Sequence, residues 1–310
     1  MGRADFRVHT IGCGSARPTL RHQPSCTVVE HNSNLYMVDC GEGAQQGLAR
    51  QELKMSRLAH VFLTHLHGDH VFGLFGLLGT MALKDLRGHI TIHTFEEGRE
   101  ILDYNFRYFN RDTPFDIHYN ILDPHKEEIA LETPTLRVRT VPLRHRVDCV
   151  GYVFEEQGKL RHIRRDMCDF HGVPHYFMNT LRQGADFVKD DGTVVPNELL
   201  TSPADKALSY AHLGDTSSFP ELARMAGPVD LMYHETTYLD ANEADAAKRG
   251  HSTARQAAIC AREAGAGALL TGHYSSRYKD EHQFLVEARE EFPNVILNRE
   301  GLTTEVRSVE

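Results

Sequence analysis

No two of the six cysteines form a Cys-x-x-Cys pair: Cys13, Cys26, Cys40, Cys149, Cys168 and Cys260 lie scattered along 310 residues. That pattern is neither a disulfide framework nor a zinc knuckle, and it fits a reducing, cytoplasmic compartment. Long apolar runs are missing too. The longest, residues 71–83, is broken by three glycines and is too short to span a bilayer, so no membrane partner is expected. Residues 1–6 lack the apolar core of a signal peptide. Nor is there an excess of basic charge. A formal net charge of −9 argues against a general nucleic-acid-binding coat, so a polyanionic substrate would need a local basic patch.

What remains is ordinary for a soluble α/β protein, with 41% hydrophobic and 25% charged residues, except that twenty histidines exceed what a metal site alone needs. The length suits one large α/β domain or two small ones. Residues 6–11 read as a strand, 27–30 and 35–38 as a hairpin about Asn32-Ser33-Asn34, and 43–53 as a helix. A buried helix over 70–86, a strand at 89–93, a helix over 97–108 and strands at 136–141 and 149–154 follow. Residues 155–200 have weak apolar periodicity and carry Lys159, Arg161, Arg164 and Arg165 with no acid among them, which marks an insertion. Strands at 208–213, 229–233, 268–270 and 295–297 then alternate with helices at 253–264 and 281–291.

The strongest signal is Thr64-His65-Leu66-His67-Gly68-Asp69-His70, with four potential metal ligands in six positions. It follows a β-branched, apolar strand, and open α/β sheets place their chemistry at such carboxyl ends. Imidazole and carboxylate donors suit zinc and neighbouring first-row ions. One ion cannot comfortably take all four, so two adjacent metals are expected. The same pattern, an apolar strand and then a polar turn, recurs elsewhere. It brings Asp39, His145, Asp215, His234, His251 and His273 forward as partners.

The heptad resembles the signature of the metallo-β-lactamase superfamily. A wider set resembles ribonuclease Z, the tRNA 3′-processing endonuclease family: Gly12-Cys13-Gly14-Ser15-Ala16, Asp39-Cys40-Gly41-Glu42-Gly43, His145, Gly214-Asp215-Thr216, His234-Glu235-Thr236-Thr237, His251-Ser252-Thr253-Ala254 and His273-Tyr274-Ser275-Ser276-Arg277-Tyr278. The resemblance implies an α/β, αββα four-layer sandwich over residues 1–310, with 155–200 as an inserted basic arm serving as tRNA exosite. It implies two zinc ions, one held by His65, His67 and His145, the other by Asp69, His70 and His273, with Asp215 bridging them. It makes Asp69 the acceptor of the attacking water's proton and His251 the proton donor to the leaving 3′-oxygen; the alternative for His251 is a cap on the helix beginning near Ser252. Asp39, His234 and Glu235 are expected to orient ligands rather than bind metal. Surface or structural positions are expected for His93, His118, His125, His162, His171, His175 and His282; His212 receives no role.

The implied reaction is removal of the 3′ trailer from precursor tRNA by a homodimeric enzyme, leaving a tRNA 3′-hydroxyl and a 5′-phosphorylated trailer. One departure concerns the arm. Many members carry Gly-Pro-Leu-x-Gly-Lys-Leu there, whereas residues 173–184 keep only Val173-Pro174 at the start and Leu181 and Gly184 at the end, resembling a variant arm of some bacterial members. Two other readings compete: a hydrolase of the same fold acting on small phosphodiesters or other esters, and a non-catalytic RNA-binding relative.

Overall fold

The computed structural model describes residues 6–109 and 113–308; the N-terminal residues 1–5, where no signal core is read, lie outside them. Two seven-stranded sheets carry the fold. The first runs, in spatial order, Thr303–Glu305, Phe6–Gly12, Cys26–His31, Asn34–Val38, Leu58–Phe62, Gly88–Thr94 and Phe115–Ile121. Its first four strands are antiparallel and the rest parallel. The hairpin turn at Asn32 and Ser33 has positive φ at both residues (47° and 68°), the conformation whose twist matches paired strands. The second sheet runs Val295–Ile296, Leu269–Gly272, Leu231–Glu235, Ser209–Leu213, Val150–Glu156, Leu136–Pro142 and Ile129–Glu132.

Helices cover the outer face of each sheet. Leu74, Leu77 and Leu78 of Gly68–Leu83 and Leu102 of Glu96–Phe109 pack with Val28, Met37, Val61 and Ile92 of the first sheet. Ala257, Ala258 and Ala261 of Ala254–Ala264 and Phe284 of His282–Arg289 pack with Ala211, Met232 and Leu269 of the second. The expected αββα layering is therefore present. Strands covered on both faces read as continuous apolar runs, which is why Leu231–Glu235 and Leu269–Gly272 are buried throughout.

Between the sheets lies a layer of rings. Phe62 stacks on His93 at 4.1 Å and meets Tyr152 edge-on at 5.1 Å and Phe154 at 5.4 Å. Phe62→Ala is expected to cost about 3–5 kcal/mol, seen as a lower urea midpoint at unchanged slope.

Helix 70–86 begins and ends earlier than expected, at Gly68–Leu83. Strands Phe115–Ile121, Ile129–Glu132 and Thr303–Glu305 escape the sequence reading, the last because it is short and pairs with residues almost the whole chain away.

The chain divides into two compact units, the second comprising Thr133–Arg137 and Glu155–Ala207. That second unit is more than an excursion. Cys168, Val173, Leu181, Val195 and Leu200 form its own small core. Its helices, Arg165–Phe170, Met178–Arg182 and Asn197–Leu200, run only four to six residues. Segments that short cannot display a 3.6-residue period, so the sequence hides the core.

Candidate metal centre

The strand Leu58–Phe62 hands its chain to a stretch fixed from both sheets. Leu63 N donates to His93 O at 2.9 Å, Thr64 N to the Asp39 carboxylate at 2.8 Å, and Val150 N to Thr64 O at 2.9 Å. His67 is the last extended residue before helix Gly68–Leu83, so Asp69 and His70 sit in its first turn, where the helix dipole favours a carboxylate. Asp215 follows strand Ser209–Leu213, and His273 follows Leu269–Gly272, in the same parallel set. Strand direction alone therefore delivers these groups to one end of the sheets.

The seven expected ligands converge in two groups. His65 Nε2 and His145 Nε2 lie 2.9 and 3.3 Å from His67 Nδ1, and 3.8 and 3.9 Å from Asp215 Oδ2. In the other group, Asp69 Oδ2 lies 3.6 Å from both His70 Nε2 and His273 Nε2. Asp215 Oδ1 faces the same two nitrogens at 3.6 and 3.2 Å. One carboxylate thus presents one oxygen to each group.

For His70, His145 and His273 the ring nitrogen turned away from the centre aims the ligand. His70 Nδ1 donates to Asp39 at 2.7 Å, His145 Nδ1 to Gly250 O at 2.7 Å and His273 Nδ1 to Thr237 Oγ1 at 2.8 Å, leaving their Nε2 lone pairs directed inward. Asp69 Oδ2 accepts from Ala16 N at 2.8 Å. His70 Nε2, His273 Nε2 and Asp215 Oδ1 are buried with no hydrogen-bond partner, an arrangement that is costly unless a cation takes them. Burial holds His65, His67 and His145 below the usual histidine value, keeping them neutral as metal ligands must be. Burial also pulls His70 down, but Asp39, Asp215 and Asp69 overcome it and raise the group to about 10. Such a surplus of negative charge is what a divalent cation neutralises. The donor set therefore fits metal binding.

His251 stands beside this centre, its Nδ1 3.9 Å from Asp215 Oδ2 and 2.9 Å from Glu235 Oε1. Burial opposes its charged form, yet Glu235 and Asp215 raise it to about 9. With Nδ1–H given to Glu235, Nε2 carries the other proton. The alternative capping role belongs instead to Thr253, which forms a capping box with Gln256 on helix Ala254–Ala264.

Several supporting groups were underrated or invisible in the sequence. Glu235 is fully buried and accepts from Thr216 N, Ser252 N, Thr237 N and Thr237 Oγ1 as well as His251. The carbonyl of Gly250 and the amide of Ala16 have no side-chain letter to announce them. Asp39, as expected, orients His70 and Thr64. His234 Nδ1 donates to Glu235 O at 2.7 Å. His212 is buried, stacked on Tyr233 at 4.3 Å and bonded to Tyr210 Oη at 2.9 Å, a structural position.

Comparison with known proteins agrees with this geometry. Residues 20–156 match the family model described as metallo-beta-lactamase superfamily. A ribonuclease Z of Parabacteroides distasonis is 42% identical over 98% of this chain and 100% of its own length. One from Bacteroides fragilis is 41% identical over 96% of this chain and 98% of its own. Among solved structures, the short form of human tRNase Z is 22% identical with a TM-score of 0.70, covering 97% of this chain and 100% of that one, a likeness of fold. Full-length identity at this level places the chain in the ribonuclease Z family of the metallo-β-lactamase superfamily.

Proposed function

We propose that this chain is a zinc-dependent endoribonuclease that removes the 3′ trailer from precursor tRNA, leaving a 3′-hydroxyl on the tRNA and a 5′-phosphate on the trailer. The relatives' shared name, ribonuclease Z, supports the reaction. The observation that carries the mechanism is the split of Asp215, with Oδ2 toward His65 and His145 and Oδ1 toward His70 and His273. His65, His67 and His145 would hold one zinc, Asp69, His70 and His273 the other, and Asp215 both. Two such ions would supply Lewis acidity to the phosphoryl oxygens and would lower the pKa of an attacking water toward about 7.

The chain's own groups do the rest. Asp69, anchored by Ala16 N, accepts the water's proton. His251, held on Glu235 and charged at neutral pH, delivers a proton from Nε2 to the departing ribose 3′-oxygen. Incubating the protein with a precursor tRNA and, separately, with a chromogenic phosphodiester tests the substrate. Cleavage of the diester alone would favour the small-ester reading.

Substrate choice is assigned to the arm, but narrowly. Residues 155–207 hold nine acidic and seven basic residues, four of the basic ones within the acid-free stretch 159–165. Within that stretch Arg161 Nε bonds Thr201 Oγ1 at 2.7 Å and serves the arm's own structure. Lys159 pairs with Glu156 at 2.8 Å and Arg165 with Asp169 at 3.0 Å. The Arg165–Asp169 pair is exposed, worth about 0–1 kcal/mol, and exchanges readily for a phosphate, whereas Glu156 is buried and ties Lys159 more closely. Replacing Lys159, Arg164 and Arg165 together by Ala is expected to weaken tRNA binding and flatten its log–log salt dependence by about 2–3, while sparing diester turnover. An unchanged salt slope would remove the arm from recognition.

A homodimer and a cytoplasmic location belong to the same proposal. Exposed Ile101, Tyr104 and Tyr108 on helix Glu96–Phe109 offer apolar surface suited to an interface, and all six cysteines are unpaired. No helix among the described residues is long and apolar enough to cross a membrane. Sedimentation of the purified protein tests the dimer.

A further inference from the structure

A second cluster of metal-ligating side chains lies outside the dinuclear centre. Cys13 follows strand Phe6–Gly12, His22 lies in the next loop, and Glu300 comes from a loop near the C-terminus; their ligand atoms all fall within 4.8 Å of one another. We propose that Cys13, His22 and Glu300 form a further metal site, of the zinc class, that fastens the N-terminal loop to the C-terminal segment.

Two of the three ligand–ligand distances fit a tetrahedral face. Zinc bonds of about 2.3 Å to sulfur and 2.0 Å to nitrogen or oxygen put sulfur and nitrogen about 3.5 Å apart and nitrogen and oxygen about 3.3 Å apart. Cys13 Sγ and His22 Nδ1 are 3.5 Å apart, and His22 Nδ1 lies 3.0 and 3.2 Å from the two Glu300 oxygens. The surroundings are arranged as they are around zinc-binding histidines. The opposite nitrogen, His22 Nε2, meets the Glu281 carboxylate at 3.0 Å, and Glu300 Oε1 accepts from Gln23 N at 2.9 Å. Cys13 is buried, while His22 and Glu300 keep partial exposure, so the fourth position is open to a water.

A thiolate and a carboxylate carry two negative charges and the imidazole none, so these three ligands balance the charge of a dication.

The site also braces the catalytic end. Tyr274 N donates to Cys13 O at 2.9 Å and Ser15 N to Tyr274 O at 3.1 Å, while Ala16 N holds Asp69. A metal at Cys13 would therefore steady the loop that carries Ala16.

The test is cobalt(II) substitution, read by absorption spectroscopy and metal content. None of the seven ligands of the dinuclear centre is a thiolate, so a thiolate-to-cobalt charge-transfer band reports the new site alone. The expected result is such a band in the parent protein, lost with one metal equivalent in Cys13→Ser and retained in Cys149→Ser, the control for the cysteine nearest Asp215. His22→Ala provides a second variant, with the same loss expected, should Cys13→Ser not fold. A parent protein without the band, or a band that survives loss of Cys13 or His22, would overturn the assignment.

Discussion

Asp215→Ala is expected to strip the centre of both zinc ions and bring tRNA cleavage down to the level of chelator-treated protein. The reason lies in its position. Asp215 is buried, and its two oxygens are the only carboxylate atoms among the described residues that face both ligand groups. Without it, each ion keeps three ligands, but the two lose their shared counter-charge. His65→Ala and His273→Ala should instead each lose about one zinc, because His65 lies with His67 and His145 and His273 lies with Asp69 and His70. Metal analysis of the three variants distinguishes these outcomes; two zincs retained in both histidine variants would contradict the ligand assignment. Removing the metals should also destabilise the fold. His70 Nε2, His273 Nε2 and Asp215 Oδ1 are buried without a hydrogen-bond partner, which is costly when no cation takes them. At a free zinc concentration of about 1,000 times Kd, binding adds about 4 kcal/mol of stability per site, so chelation should lower Tm markedly.

The second large effect concerns His251. His251→Ala should keep both zinc ions and slow cleavage about 10²–10⁴-fold, the usual range for a positioned general acid. The ring lies beside the centre, within 4.8 Å of ligand atoms of Asp215 and His273, but its Nδ1 is committed to Glu235 at 2.9 Å. Removing it takes away the proton for the 3′-oxygen and leaves the metal ligands in place. Single-turnover rates on precursor tRNA, with metal content measured on the same samples, check both halves. Unchanged turnover would take His251 out of the mechanism.

Legibility of the site followed the physics of each residue. His65, His67, Asp69 and His70 are contiguous, and their strand is apolar, so they stand out directly. Asp215 and His273 show the same strand-then-polar-turn pattern. So does His145, in the loop after Leu136–Pro142, although only the structure shows that Gly250 O orients it. Glu235 reads as one more strand-end carboxylate, because nothing in a sequence shows that five donors converge on it. Backbone donors and acceptors such as Ala16 N are silent for the same reason. The alternation of strands and helices is readable from periodicity and the layering follows from the family resemblance, whereas the arm's core is hidden, since its helices complete barely one turn.

The most direct measurement is to incubate the zinc-loaded protein with a 3′-extended tRNA and map both new ends. Cutting at the 3′ side of the mature tRNA, with a hydroxyl on the tRNA and a phosphate on the trailer's 5′ end, is the expected result. No cutting, or a phosphate left on the tRNA, would contradict the proposed reaction.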